Sequence, residues 1–126
     1  MSQTLINIAN PAGFLQYTDS NIGASADGVK SSSAVLYSVF VDNSANAAAS
    51  YVKLYNVASG SVVVGTTAPD EVIYVPAGVV IEHFFYTGST PGKTFATALS
   101  AACVTTGGTG GTTAPLSAVK ATLNFV

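Results

Sequence analysis

The chain has 126 residues, of which 48% are hydrophobic and 8% charged, and its formal net charge is −2. A domain of this length buries roughly two thirds of the surface that its unfolded chain exposes, and so high an apolar content argues against disorder. The chain has no arginine, and its four lysines are far apart in the sequence: Lys30, Lys53, Lys93 and Lys120. Clustered cations are needed to neutralise nucleic-acid phosphates, so we expect a folded, charge-poor domain without a nucleic-acid partner.

Targeting and redox signals are sparse. No apolar run approaches the ~18 residues of a membrane span. The N-terminal MSQTLINIANPAG lacks a basic start and is interrupted by Pro11 and Gly13, so it does not read as a secretory signal. Cys103 is the single cysteine, so no intrachain disulfide can form. We therefore expect no membrane partner, synthesis in a reducing cytoplasm, and stability from packing or oligomerisation.

The first third of the chain predicts short strands and a long loop. Gln3 to Ala9 alternates in hydropathy and ends at Asn10-Pro11, and Gly13 to Thr18 is a second short extended segment. Asp19 to Ser33 is rich in Ser, Gly, Asp and Asn and has no apolar period, which predicts a binding or mobile loop. We expect residues 1–32 to form an arm and loop that packs on, or is swapped beside, a core of residues 33–126.

Two apolar runs between Ser33 and Val57 predict a central pair of strands, Ala34–Val41 and Tyr51–Asn56, separated by Asp42-Asn43-Ser44 and one possible helical turn. The first run is apolar on both faces, namely Val35, Tyr37, Val39 and Val41 against Leu36, Ser38 and Phe40. It should therefore be covered on both sides, by the chain's own tail or by another subunit. The second run sets Val52 and Leu54 against Tyr51, Lys53 and Tyr55, which predicts a solvent side.

The remaining strands are predicted from the same apolar runs and turn residues. Predicted strands are Glu71–Val75, Val79–Thr87 and Ser117–Val126, while Ser61–Val64 lies between two turns and Thr94–Thr106 is ambiguous, with a helical turn possible at Ala96–Leu99. In the last strand Val119, Ala121, Leu123 and Phe125 should face inward. The pentapeptide GTTAP occurs at Gly65–Pro69 and Gly111–Pro115, before a strand each time. The pattern predicts an all-β, single-domain antiparallel β-sandwich with seven to eight short strands and long polar loops.

Candidate reactive groups lack the partners that chemistry requires. His83 is the one histidine, and its neighbour Glu82 should point to the opposite face of a strand, so packing or an interface is the better interpretation. Cys103 lies among alanines without a basic neighbour, which predicts an inert buried thiol. The side chains of Asp70 and Glu71 should point to opposite faces of a strand, so a turn or a solvated strand start is the better interpretation.

Three further patterns favour structural roles. Asp42, Asn43 and Asn46 offer oxygens for calcium without the acidic spacing of an EF-hand loop. Gly107 to Gly111 has no following lysine or helix and predicts a flexible loop rather than a phosphate cradle. Tyr37, Tyr51 and Tyr55 could form an aromatic platform for sugars or bases, but cross-strand packing within the central pair of strands is the stronger expectation. We assign no catalytic, cofactor-binding or metal-ligating residue and expect no cofactor and no enzymatic activity.

Three segments carry a resemblance: Val35–Asn56 (VLYSVFVDNSANAAASYVKLYN), Gly65–Gly78 (GTTAPDEVIYVPAG) and Thr94–Pro115 (TFATALSAACVTTGGTGGTTAP). Over residues 33–126 the chain resembles small β-sandwich structural proteins of tailed bacteriophages, including cyanophages. The resemblance implies a virion component on the capsid surface, a decoration (cement) protein bound to the major capsid protein. It also implies a homo-oligomer, dimer or trimer. Tail and fibre modules have a similar sequence character, and there the expected ligand is a host-surface glycan.

Overall fold

The computed structural model describes the backbone of residues 3–7 and the whole of residues 13–126. The predicted strand stop at Asn10-Pro11 lies outside these residues. Within them the chain forms twelve strands and one short 3₁₀ helix, Ser59–Ser61. The strands are β1 Gln3–Asn7, β2 Leu15–Asp19, β3 Asp27–Lys30, β4 Ala34–Asp42, β5 Ser50–Tyr55, β6 Glu71–Val75, β7 Val80–Phe84, β8 Tyr86–Thr87, β9 Thr90–Pro91, β10 Lys93–Phe95, β11 Leu99–Val104 and β12 Lys120–Phe125.

The strands form two main antiparallel sheets. Sheet A has the order β1-β2-β12-β4-β10, and β7 pairs with the C-terminal half of β4 on the same edge as β10. Sheet B has the order β3-β11-β5-β6, and β8 and β9 form a separate two-stranded hairpin. The predicted all-β, single-domain β-sandwich is confirmed.

The core lies between the two sheets. Inward side chains of both sheets form one buried apolar cluster, which includes Leu36 and Leu123 from sheet A and Leu54 and Leu99 from sheet B. The alternation predicted for the closing strand is confirmed, since Val119, Ala121, Leu123 and Phe125 are all fully buried. Regular period-two patterning thus places one apolar row of β12 against the opposite sheet.

The prediction of a central strand pair is wrong. β4 lies in sheet A beside β12, whereas β5 lies in sheet B between β11 and β6. The segment between them therefore crosses from one sheet to the other instead of closing a hairpin. It contains turns at 44–45 and bends at 47–48, not the predicted helical turn.

A register shift in β4 changes the predicted faces. Asn124 pairs with Ser38, but Phe125 pairs with Leu36, so Tyr37 is an additional residue on β4. Such a bulge reverses the alternation on either side of it. The buried apolar residues are Ala34 and Leu36 before the bulge and Val39 and Val41 after it, while Val35, Tyr37 and Phe40 are half-buried on the other face.

The solvent side predicted for β5 is also wrong. Lys53 is fully buried, and its Nζ donates hydrogen bonds to the carbonyl oxygens of Gly110 at 2.7 Å and Thr109 at 3.3 Å. Gly107 lies so close to Tyr51 that a Cβ there would be 3.0 Å from the ring. The glycine-rich segment 105–113, which contains the predicted flexible loop Gly107–Gly111, therefore covers β5 on the outer face of sheet B.

Polar or small residues form strands where none was predicted. β3 lies within the predicted polar loop Asp19–Ser33. In the ambiguous part of the chain, β10 and β11 flank a bend at 96–97, where a helical turn was possible. Ser61–Val64 contains the end of the 3₁₀ helix and the start of a turn. Residues 13–32 supply β2 and β3, one strand to each sheet, and Tyr17, Ile22 and Val29 belong to the core.

Candidate functional site

The outer face of sheet A carries a row of hydrogen-bonded polar side chains. Adjacent strands set Gln16, Asn124 and Ser38 in register. Gln16 Nε2 donates to Asn124 Oδ1 at 3.0 Å, and Asn124 Nδ2 donates to Ser38 Oγ at 2.9 Å. At the next pair of positions on this face, the hydroxyls of Thr18 and Thr122 are 3.1 Å apart. These amides and hydroxyls orient one another across three strands.

The polar row borders an open groove of about 530 Å³, which is completed by Phe40, Glu82 and Lys120. Phe40 pairs with Thr122 on one side and with Glu82 on the other. The groove thus combines amides, hydroxyls, one carboxylate, one ammonium and a half-buried aromatic ring. Polar groups of this kind beside an apolar ring are suited to hydrogen-bonding ligands that also have an apolar face.

A second, apolar groove of about 600 Å³ lies where the β4–β5 segment meets the second GTTAP segment. None of its lining residues is charged; they are Ala45 to Ser50, Thr105 and Thr113 to Ser117. Leu116, at its border, is 98% exposed. Binding surfaces often pair such a concave apolar region with a projecting apolar side chain.

A buried amide network supports the walls of this groove. Asn43 is fully buried, and its Nδ2 donates to the carbonyl oxygens of Ala48 and Pro76 at 3.1 and 3.0 Å. Its Oδ1 accepts hydrogen bonds from Asn46 Nδ2 and Ser50 Oγ, both at 2.9 Å. Asn43 therefore joins the β4–β5 segment to the β6–β7 turn.

The same contacts bear on the calcium alternative. Asn46 Oδ1 accepts from the backbone N–H of Ser117 at 2.8 Å, and Asp42 Oδ1 accepts from the N–H and hydroxyl of Ser44. The hydrogen bonds from Ser44 lower the pKa of Asp42. The oxygens considered for calcium are thus engaged in turn and network contacts. In the described part of the chain, no group of three or more His, Cys, Asp or Glu residues is placed to hold a metal ion.

His83 and Glu82 lie on opposite faces of β7, as predicted. The exposed ring of His83 packs edge-on against Phe85, with centroids 4.6 Å apart. Glu82 faces the polar groove of sheet A instead. The carboxylate is therefore not placed to orient the imidazole for proton transfer.

Cys103 is fully buried, as predicted. Burial raises the pKa of its thiol to about 12, although hydrogen bonds from the Ser50 side chain and the Tyr51 backbone act in the opposite direction. A thiol of this kind stays protonated at neutral pH and is a poor nucleophile.

Asp70 and Glu71 have separate structural roles. Asp70 Oδ2 accepts a hydrogen bond from the backbone N–H of Asn56 at 2.6 Å, while its own N–H donates to Leu54 at 2.8 Å. Glu71 Oε1 lies 3.2 Å from Lys93 Nζ. The first residue fixes the turn into β6 and the second links the two sheets through an ion pair.

The three tyrosines do not form one platform. Tyr37 belongs to sheet A and packs edge-on against Phe14 at 5.1 Å. Tyr51 packs against its cross-strand partner Tyr74 at 5.4 Å, and Tyr55 is fully buried. Tyr51 thus packs across strands on β6, whereas the packing expected within the predicted central pair does not occur, because β4 and β5 lie in different sheets.

Sequence reasoning missed a buried polar cluster inside the sandwich. Tyr17 and Asp19 on β2 and Asp27 on β3 are all buried. Burial, together with the charges of Asp27 and Asp19, raises the pKa of the Tyr17 phenol. The detectable signal was the period-two spacing of Leu15, Tyr17 and Asp19, which places all three on one face.

These features define the chain as a charge-poor, single-domain all-β sandwich with one polar and one apolar groove. Across the part that the structure describes, no helix has the length and apolar character needed to cross a membrane. No family model, curated protein or solved structure matches the chain.

Proposed function

We propose that this chain is a non-enzymatic structural protein of a tailed-phage virion, a decoration protein that stabilises the capsid by bridging major capsid subunits. In this role the protein acts through its surface. The proposal is supported by the three sequence segments described above, by the sandwich fold and by the low charge of the chain.

The observation that carries the proposal is the apolar character of one edge of the sandwich. β6 and β7 are edge strands of sheets B and A, joined by the turn 76–79. Both expose large apolar side chains beside this edge, Val72 and Tyr74 on the outer face of sheet B and Val80 and Phe84 on the outer face of sheet A. Soluble proteins commonly protect edge strands with charge or cover, so an edge of this composition is suited to a protein neighbour.

The physical requirements of decoration are modest. A specific protein contact typically buries about 800 Å² on each partner. Contacts repeated over a shell reinforce one another, since each bound subunit holds its neighbours at high effective concentration. A contact at the edge formed by β6 and β7 leaves the core between the two sheets intact.

The test is co-sedimentation with empty shells assembled from the major capsid protein encoded near this gene. We expect stoichiometric binding and a higher temperature of shell disassembly. The double variant Tyr74→Ser/Phe84→Ser should lose binding, whereas the matched variant Val63→Ser, which alters an exposed apolar residue outside β6 and β7, should keep it. A wild-type chain that stays in the supernatant would refute the proposal, and a gene position inside a tail cluster would favour the second candidate.

The N-terminal residues are also a proposed contact. Deleting residues 2–18 would remove β2 and the core residue Tyr17, so loss of binding would only report unfolding. Deleting residues 2–12 keeps these residues, and we expect it to abolish capsid binding or oligomerisation. Unchanged assembly of this shorter deletion would reject a role for the N-terminal residues.

The second candidate function is that of a tail or fibre module that binds host-surface glycan. The polar groove of sheet A supports it, since Phe40 lies beside the Gln16–Asn124 and Thr18–Thr122 pairs. A glycan array followed by titration calorimetry tests this function. Binding that is weakened in Asn124→Ala and Glu82→Gln would support it, and an array without hits would reject it.

A further inference from the structure

Leu116 is the most exposed large apolar side chain in the described part of the chain, at 98%. A single exposed leucine needs no explanation in itself. Here, however, the side chain projects at the border of an apolar groove of about 600 Å³ whose lining includes four alanines of the β4–β5 segment: Ala45, Ala47, Ala48 and Ala49. The projection and the concavity therefore occupy the same surface.

The backbone that presents Leu116 is held by reciprocal hydrogen bonds. Asn46 Nδ2 donates to the carbonyl oxygen of Ser117 at 3.0 Å, and the N–H of Ser117 donates to Asn46 Oδ1 at 2.8 Å. Pro115 precedes Leu116 and restricts the backbone further. Leu116 and the alanine wall are thus fixed relative to each other, so little conformational freedom is lost on binding.

We propose that a second copy of this chain occupies the groove, with Leu116 of each copy inserted into the alanine wall of the other. A two-fold contact brings the same patch of both subunits together, so the patch must contain both the projecting and the receiving element. A head-to-tail ring would instead need these elements on separate faces. The adjacency of Leu116 and the alanines therefore points to a dimer.

The charge distribution also favours a second copy. Each chain carries a formal charge of −2, so two copies repel each other wherever acidic side chains meet. None of the residues that line this groove is charged. The contact can therefore form without opposing like charges, and depletion of charge is typical of the centre of an interface.

This inference deepens the proposed function and rests on it in one respect: it assumes that the chain acts through protein contacts. The groove of Leu116 is separate from the edge formed by β6 and β7. A dimer can therefore present two capsid-binding edges, which suits a protein that bridges subunits.

Sedimentation velocity of the purified full chain tests the dimer. We expect twice the chain mass of 12.6 kDa at micromolar concentration, and a shift to the single mass in Leu116→Ser and in Ala47→Glu, which places a charge in the groove. Val63→Ser is the matched control and should remain dimeric. A monomeric wild type, or a Leu116→Ser variant that stays dimeric, would overturn the inference.

Cross-linking tests the geometry directly. Leu116→Cys and Ala47→Cys are prepared as separate chains, mixed and oxidised; native Cys103 is buried and does not compete. A disulfide-linked product is expected in the mixture and not with either variant alone. Absence of the product, or equal cross-linking of Leu116→Cys with itself, would contradict insertion of Leu116 into the alanine wall.

Shell co-sedimentation of Leu116→Ser separates the two proposals. If this variant is monomeric and still binds shells, the dimer contact and the capsid contact are distinct, as proposed. If the wild type is a monomer and Leu116→Ser loses shell binding, the groove binds the capsid protein and the dimer is refuted, while the proposed function stands. A wild type that neither dimerises nor binds shells would refute both.

Discussion

Lys53 Nζ donates a 2.7 Å hydrogen bond to the carbonyl oxygen of Gly110, a residue 57 positions further along the chain. The bond fastens the glycine-rich segment 105–113 across β5 and shields Lys53 from water on the outer face of sheet B. Burial lowers the pKa of the Lys53 ammonium, because the low-dielectric surroundings disfavour its charge. The hydrogen bonds to Gly110 and Thr109 offset this cost.

Replacing Lys53 by methionine should destabilise the fold. The variant keeps most of the aliphatic stem but removes the donor, and a hydrogen bond to a charged group contributes about 1.5–3 kcal/mol. We expect the free energy of unfolding in urea to fall by about 2 kcal/mol. Lys120→Met, at an exposed position, is the matched control and should change it by less than about 0.5 kcal/mol. Equal effects in both variants would mean that the anchoring bond contributes nothing.

Cys103 should make the protein less stable at alkaline pH. Burial raises the folded-state pKa of its thiol from 9.0 to about 12, so between these values the folded state holds a proton that the unfolded state releases. Stability is then lost as pH rises through that window, by up to about 1.4 kcal/mol per pH unit from this group. Cys103→Ala should show a correspondingly shallower decline above pH 9.0.

Urea denaturation at pH 7, 9, 10 and 11 measures this slope. A constant offset of about 1 kcal/mol between the two proteins, from the smaller side chain, does not alter the comparison. Parallel pH profiles for Cys103→Ala and the wild type would contradict the assignment.

The two GTTAP glycines should not tolerate a side chain. Gly65 has φ +93° and would place a Cβ 2.6 Å from Thr112 Cγ2, so the two GTTAP segments are in contact. Gly111 has φ +96° and would place a Cβ 2.5 Å from the Cβ of Thr106. Because L-residues rarely adopt such φ values, Gly65→Ala and Gly111→Ala should each cost about 1–3 kcal/mol.

Gly60→Ala provides the matched control. Its Cβ would meet no atom within 4 Å, and the residue lies in the short 3₁₀ helix. We expect its midpoint in thermal unfolding to stay near that of the wild type. A Gly65→Ala variant as stable as Gly60→Ala would show that the contact between the GTTAP segments is easily displaced.

Asn43 should be among the least replaceable polar residues of the fold. Asn43→Ala removes the acceptor used by Asn46 and Ser50 and the donor used by the carbonyl oxygens of Ala48 and Pro76. Each buried group left unpaired costs about 1–3 kcal/mol, so we expect a total loss of at least about 3 kcal/mol. Asn21→Ala, at an exposed position, is the control. Urea denaturation of both variants measures the difference, and a loss of less than 1 kcal/mol in Asn43→Ala would contradict the network.

The two grooves could be anticipated only in part. The polar face of sheet A follows from the alternation of Lys120, Thr122 and Asn124 against the inward row of β12. The contribution of Gln16, Thr18 and Phe40 to the polar groove could be predicted only by knowing that β2 and β4 flank β12. The position of Leu116 depends on how its neighbour Ser117 is bonded to Asn46, seventy-one residues away, and no local pattern contains that contact.

The sequence by itself determined the all-β class, the buried row of β12, the burial of Cys103 and the divergence of Glu82 from His83, because each follows from local composition or period-two alternation. Only the tertiary structure decided that β4 and β5 belong to different sheets, that a bulge at Tyr37 exchanges the faces of β4, and that Lys53 is buried under the glycine-rich segment. Strand partners, register shifts and loop cover depend on contacts between distant residues, and alternation along one strand carries no record of them.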